Sequence, residues 1–136
     1  MRYDELFVGQ TAEYSKSVTD ADVRAFAQLT GDVNPIHIDE EVARKTRFGG
    51  RIAHGMISAG LISAAIANKL PGGGAIYLAQ TLKFTAPVRI GDTITVSLKV
   101  LELLSKKRLR LETVCRNQRG ETVIEGEGTI LVDEGS

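Results

Sequence analysis

The chain has 136 residues, 43% of them hydrophobic and 25% charged, a composition typical of one globular domain with a buried core. Its 17 basic and 17 acidic side chains cancel, which disfavours nucleic acids and anionic membranes as partners. A single cysteine excludes an internal disulfide, and with two histidines it leaves too few ligands for a structural zinc site. Residues 1–14 lack the apolar stretch of a signal peptide. We therefore expect one cytoplasmic domain over residues 1–136.

The first elements are a short strand, expected at residues 11–18, and a helix that follows it. Thr19 and Asp22 stand at the spacing of a capping box, in which two side chains satisfy the first backbone N–H groups of a helix. Apolar residues at spacings of three and four continue to Gly31, a residue type common at helix C-termini. These signals predict a helix of about three turns.

Residues 32–37 interrupt this helical pattern. Pro35 disfavours helical backbone at Asn34 and has no N–H to donate, so we predict a rigid polar loop. A second short helix is expected at 39–45, where acidic residues precede basic ones, in line with the helix dipole.

The segment 55–70 is apolar on nearly every face and predicts a helix that is buried all round. It is shorter than the ~20 residues of a membrane span, and the Pro-Gly-Gly-Gly sequence after it ends the helix.

Strand patterns dominate from residue 75 onward. We predict strands at 76–84 and at 93–100, where apolar residues occupy every even position. The apolar phase then shifts at Leu101, which indicates a bulge or a bend, and strands at 109–116 and 122–132 are predicted to form a hairpin. Because no comparable helix follows residue 70, we expect an α+β fold with a mostly antiparallel sheet that can curl around the apolar helix.

Asp32 and His37 are the best candidates for catalysis. A carboxylate and an imidazole that a proline-stiffened loop holds close together can manage two proton positions on a substrate. The structural alternatives are a loop-capping Asp32 and a His37 that is satisfied in the core or exposed at the surface.

The residues around this pair resemble the R-specific enoyl-CoA hydratases, also called the hydratase-2 or MaoC-like dehydratase family. The resemblance runs through residues 26–43, 50–56, 70–78 and 87–92, and so covers nearly the whole chain. It implies a hotdog fold, in which a long antiparallel sheet wraps around a central helix, and a homodimer whose sheets join.

In the family the Asp and His of the motif are catalytic, and they match Asp32 and His37 here. Gly55 opens the apolar helix, whose free N–H groups can stabilise charge on a substrate oxygen; close packing is its alternative role. Ser63 matches a family serine near the catalytic pair, although a serine on a helix can instead bond its own backbone. Asn34 is expected to shape the loop and orient Asp32. No catalytic role is assigned to His54.

The resemblance implies an enzyme that adds water to trans-2-enoyl-CoA, giving (R)-3-hydroxyacyl-CoA, with no metal or redox cofactor. The expected partners are an acyl-CoA substrate and a second copy of the chain. Two alternatives stay open: a dehydratase for acyl-carrier-protein or specialised-acid substrates, and a non-catalytic subunit that binds acyl thioesters. A thioesterase would share the fold but attack the carbonyl carbon.

Overall fold

An antiparallel sheet of six strands is the central element of the computed structural model, which describes residues 1–134. In chain order the strands are β1 (Thr11–Ser17), β2 (Ala75–Gln80), β3 (Lys83–Phe84), β4 (Thr93–Leu104), β5 (Arg108–Arg116) and β6 (Thr122–Val132). In space the order is β1-β4-β5-β6-β2, and β3 also pairs with β6. Every strand pairing is antiparallel, as the sequence predicts.

The helices all lie between β1 and β2 in the chain. They are α1 (Asp20–Thr30), α2 (Pro35–Ile38), α3 (Glu40–Arg44) and α4 (Gly55–Asn68), after an N-terminal 3-10 turn at Tyr3–Glu5. The predicted capping box is confirmed, since Thr19 Oγ1 accepts from the Asp22 N–H and the Asp22 carboxylate accepts from the Thr19 N–H. Gly31 ends α1 with a left-handed backbone (φ 80°).

The prediction of a loop over residues 32–37 is wrong for its second half. Pro35 begins α2. The N–H of the first helical residue has no acceptor within the helix, so proline loses no hydrogen bond there, and its fixed φ angle already matches the helical value. Asn34 stays outside the helix with non-helical backbone (φ −53°, ψ 125°), and its Oδ1 accepts from the Ile36 N–H as a cap. His37 therefore lies on a one-turn helix rather than on a loop.

Strand positions follow the predicted alternation closely. The even residues of β4 from Ile94 to Val100 are all buried, and the register with β5 shifts between Val100 and Glu102, as the phase change predicts. The strand expected at 76–84 is instead two strands. At the break, the Thr81 carbonyl lies so close to Gly126 that a side chain on β6 would collide with it.

Helix α4 packs on the inner face of the sheet through the buried residues Leu61, Ile62, Ala65 and Ile66. Its opposite face is open: Met56, on that side, is 52% exposed. The expectation that this helix is enclosed all round is therefore wrong for a single chain, because Met56, Gly60 and Ser63 on this side are exposed. Among these residues no helix is long and apolar enough to cross a membrane.

Candidate active site

Asp32 is an exposed residue in the turn that leaves α1. Its N–H donates to Thr30 Oγ1 at 3.1 Å, and its Oδ1 accepts from the Asn34 N–H at 3.3 Å. Both bonds are local to the turn. They shape the loop while leaving the rest of the carboxylate free to bind water or substrate.

His37 is buried on α2, with 8% of its surface exposed. Its Nδ1 lies 2.7 Å from the Ile52 carbonyl oxygen. Since a carbonyl can only accept, Nδ1 carries the proton, and Nε2 of the neutral ring keeps its lone pair. The backbone contact thus selects the tautomer in which Nε2 can accept a proton.

Arg51 holds the backbone of this short helix. Its Nε donates to the His37 carbonyl at 2.7 Å, and its Nη2 bonds the Asp20 carboxylate at 2.6 Å. Hydrogen bonds from Arg51 and Arg24 hold the pKa of Asp20 below its ordinary value. Asp20 is therefore ionised at neutral pH, and Arg51 links α1 to α2.

The polar atoms of the predicted pair lie close together. A carboxylate oxygen of Asp32 and a ring nitrogen of His37 are within 4.8 Å of each other. One water molecule that makes two hydrogen bonds of ~2.8 Å at a tetrahedral angle spans about 4.6 Å. The two side chains can therefore hold one water molecule between them.

Two adjacent cavities meet at this pair. The His37 cavity, about 470 Å³, is lined by His37 together with Arg47, Gly55, Ser58 and Phe84. The Asp32 cavity, about 760 Å³, is lined by Asp32 together with Phe26, Gly60, Tyr77 and Leu82. Met56 lines both cavities, so the cavities adjoin at this side chain.

Gly55 is the first residue of α4, and no side chain caps this helix. The first N–H groups of a helix have no acceptor within it and carry the positive end of its dipole. The ring of Phe84 lies against Gly55: a Cβ there would be 2.7 Å from Phe84 Cε1. Glycine therefore keeps this helix terminus open to a close neighbour at the edge of the His37 cavity.

Comparison with known proteins fits this geometry. The family model described as "MaoC like domain" matches residues 8–129. The chain belongs to the MaoC-like dehydratase family. An (R)-specific enoyl-CoA hydratase of Rhodospirillum rubrum is 47% identical over 96% of this chain and 90% of that protein. A 3-hydroxybutyryl-CoA dehydratase of Methylorubrum extorquens is also 47% identical, over 96% of this chain and 83% of that protein.

The fold agrees with a solved structure of an R-hydratase. The unliganded R-hydratase PhaJ1 from Pseudomonas aeruginosa superposes on this MaoC-like chain with a TM-score of 0.94 and 52% identity. The match covers 98% of this chain and 86% of that one. The resemblance to the family and the hotdog fold, with its sheet around a central helix, are both confirmed.

Ser63 and Asn34, which the sequence predicts to bind substrate, lie outside the two cavities at Asp32 and His37. Ser63 lies on the open face of α4, about 10 Å further along the helix than Met56 at 1.5 Å per residue. Asn34 caps α2 with its side chain, and its backbone N–H donates to Asp32 Oδ1. Neither residue lines the Asp32 or the His37 cavity. Their binding roles stay predictions.

Ser58 is a serine that the sequence reasoning passed over. It is 1% exposed, lines the His37 cavity, and its Oγ has no hydrogen-bond partner in residues 1–134. Ser58 and Ser63 are five residues apart, about 140° around the helix, so they lie on different faces of α4, and Ser58 is on the buried one.

His54 joins the site although the sequence assigned it no role. It is 2% exposed, and its ring lies 3.9 Å from that of His37. Within residues 1–134, Asp32, His37 and His54 form the one group with the residue types and spacing of metal ligands.

Two other titratable groups near the cavities stay protonated at neutral pH. Burial raises the pKa of Tyr77, in the wall of the Asp32 cavity, to about 12. Burial likewise raises the pKa of the Cys115 thiol to about 12, so a thiolate nucleophile is disfavoured. Among the described residues, the other ionisable side chains that line the two cavities are Asp32, His37 and Arg47.

Proposed function

We propose that this chain is an (R)-specific enoyl-CoA hydratase, which adds water to trans-2-enoyl-CoA to give (R)-3-hydroxyacyl-CoA and catalyses the reverse dehydration. The observation that carries this is the position of Asp32 and His37, whose polar atoms lie within 4.8 Å of each other where two cavities meet. The names of the two relatives at 47% identity support it, since one describes hydration and the other dehydration.

Asp32 and His37 together activate the water. Asp32 accepts one hydrogen bond from it, and Nε2 of His37 takes part through its free lone pair, because Nδ1 is engaged with Ile52. The water oxygen bonds to C3 of the enoyl group as its proton passes to the pair. The pair returns a proton to C2, with His37 as the donor, so that one hydroxyl and one hydrogen are added in total.

The start of α4 stabilises the charge that develops on the thioester oxygen. Addition at C3 pushes electrons towards the thioester carbonyl, and the Gly55 N–H at an uncapped helix start is a pre-aimed donor. Gly55 and His37 line the same cavity, so this donor faces the space beside the catalytic pair.

The two cavities suit the two ends of an acyl-CoA. Aliphatic and aromatic side chains such as Phe26, Met56 and Leu82 wall the larger Asp32 cavity, which fits the acyl chain. Arg47 lines the His37 cavity and is exposed, with its guanidinium 5.0 Å from the Phe48 ring centre. This cation favours an anionic group such as a CoA phosphate at that end.

The open face of α4 and the edge strand β2 support a homodimer. On β2, Ile76 is 42% and Leu78 is 45% exposed, and β2 ends one edge of the sheet. A second copy paired along β2 would cover these residues and Met56 on α4. Sedimentation should then give twice the chain mass of 14.7 kDa, whereas a monomer at micromolar concentration would contradict the dimer.

The compartment and pathway belong to the same proposal. We place the enzyme in the cytoplasm, in fatty-acid metabolism or the supply of polyhydroxyalkanoate precursors. An R-hydratase of A. caviae involved in PHA biosynthesis superposes with a TM-score of 0.90 and 41% identity, which supports the second route.

Incubation with crotonyl-CoA tests the activity. We expect loss of the conjugated enoyl-thioester absorbance without release of free thiol, and an R-configured 3-hydroxybutyryl product on chiral analysis. Thiol release would indicate a thioesterase, and binding without turnover would indicate a non-catalytic subunit; either result contradicts the proposal. A matched crotonyl thioester on acyl carrier protein should react more slowly, and a faster reaction would favour the acyl-carrier-protein alternative.

A further inference from the structure

His54 is a buried polar residue that the proposed mechanism leaves unused. It stands immediately before α4, with 2% of its surface exposed. Its ring lies between two others, with centroids 4.7 Å from Phe26 and 3.9 Å from His37. This places an imidazole in direct contact with one member of the catalytic pair.

The ring also bonds the other member. His54 Nε2 lies 3.0 Å from the backbone carbonyl oxygen of Asp32, across 22 residues of chain. A carbonyl only accepts, so Nε2 carries the proton. His54 and His37 therefore hold opposite tautomers: the proton is on Nε2 in the first and on Nδ1 in the second.

The remaining nitrogen of His54 is left without a partner. Nδ1 is buried and has no hydrogen-bond partner in the part of the chain that the structure describes. An unsatisfied buried polar atom destabilises a fold. An apolar ring of similar shape would pack between Phe26 and His37 without that penalty, so packing alone gives no reason for a histidine here.

The bond to Asp32 supplies that reason. The other hydrogen bonds of Asp32, to Thr30 and Asn34, lie within its own turn and move with it. Among the hydrogen bonds of residues 1–134, the one from His54 joins Asp32 to a different element, the start of α4. Because Gly55 comes next in the chain, the same contact sets Asp32 relative to the first N–H groups of that helix.

We propose that His54 is a positioning residue, which fixes the Asp32 turn through its Nε2–H and confines the His37 ring through stacking. The inference rests on the proposed hydratase activity, since it assigns the support of the same catalytic pair. It predicts that the hydrogen bond matters more to turnover than to substrate binding, because Asp32 and His37 act on the water and the bond does not touch the substrate.

Two substitutions separate the bond from the ring. His54→Phe keeps the stack but removes the donor, and His54→Gln keeps an amide N–H that can reach the Asp32 carbonyl but removes the ring. For crotonyl-CoA we expect His54→Phe to lower kcat about tenfold with KM within about twofold, since small displacements of catalytic groups are costly. His54→Gln should recover at least about threefold of that loss. An unchanged kcat in His54→Phe, or an equal loss in both variants, would overturn the proposal.

A measurement on the wild-type protein tests the geometry without turnover. The untagged chain has two histidines, so ¹⁵N-detected long-range NMR of the imidazoles shows two ring systems, which His37→Gln assigns. At pH 8 we expect the proton on Nε2 of His54 and on Nδ1 of His37. The Nδ1–H tautomer at His54 would overturn the proposal even if both variants failed to fold. If the tautomers are as expected but wild-type protein does not hydrate crotonyl-CoA, the proposed function fails and the hydrogen bond stands.

Discussion

The centre of the sheet and the site segment 31–58 satisfy their polar groups to different degrees. In β4, β5 and β6 the backbone pairs along antiparallel ladders, and residues such as Val96, Leu111 and Ile130 are fully buried. Three buried side-chain atoms in residues 1–134 have no hydrogen-bond partner: His54 Nδ1 and Ser58 Oγ lie in the site segment, and Arg108 Nε lies at the first residue of β5. The sheet thus supplies stability, and the site keeps polar groups that packing does not use.

We expect the largest change in the free energy of unfolding from a substitution in the sheet. Leu111 is completely buried on β5, so Leu111→Ala should lower the free energy of unfolding by about 2–5 kcal/mol, because it removes contacts and leaves a cavity. Urea unfolding measures this. The control is Leu29→Ala on α1, where the side chain is 84% exposed and the change should stay within about 0.5 kcal/mol. Equal losses of unfolding free energy in Leu111→Ala and Leu29→Ala would contradict the conclusion that the sheet supplies the stability.

In the site the effect should fall on turnover instead. Asp32→Asn and His37→Gln should each lower crotonyl-CoA hydration at least ~10²-fold, the usual contribution of a general acid or base. The free energy of unfolding should change by no more than about 1 kcal/mol. Asp39→Asn is the matched control: Asp39 caps α3 by accepting from the Val42 N–H, and asparagine caps equally well. A folded Asp32 or His37 variant with most of its activity would show the residue to be structural.

Asp92 offers a smaller effect at the sheet end, through pH. Burial alone would raise the pKa of this carboxyl, but hydrogen bonds from Gln118 and the Arg89 N–H, with the charge of Arg119, outweigh burial and lower it. A lowered pKa means stability that is present above the unfolded pKa of about 3.9 and is lost as pH falls through the folded value.

The Asp92→Asn variant should therefore be less stable than wild type by about 1–2 kcal/mol at pH 7, with the gap closing below about pH 4. Chemical denaturation at several pH values measures the gap. Activity should persist wherever the variant is folded, since Asp92 lines neither cavity of the site. If the difference in unfolding free energy between wild type and Asp92→Asn grew as the pH fell, the pKa of Asp92 would not be lowered by folding.

The sequence predicts local structure well where one rule acts at a time. The alternation in β4 and the capping box at Thr19 each depend on neighbouring residues, and both predictions are confirmed. Pro35 satisfied two rules at once. It disfavours a helix that continues through it but permits one that begins at it, and the pattern alone did not decide between them.

Contacts between distant residues account for the rest. The hydrogen bond from His54 to Asp32 crosses 22 positions, so no local pattern contains it. The exposure of one face of α4 could not be predicted for a related reason. An apolar sequence shows that a helix must be covered, but it does not show whether the same chain or a second chain covers it. The catalytic roles of Asp32 and His37 are predicted because their motif resembles a known family, since spacing alone also allows structural roles.

A double-mutant cycle on hydration of crotonyl-CoA tests most directly whether Asp32 and His37 act on one water as a unit. We predict that kcat/KM of the variant with both Asp32→Asn and His37→Gln is at most about threefold lower than that of the less active single variant. Once one member of a unit is removed, the other no longer contributes to catalysis. A loss near the product of the single losses, about 10⁴-fold, would mean that the two residues work independently. That result would contradict the account.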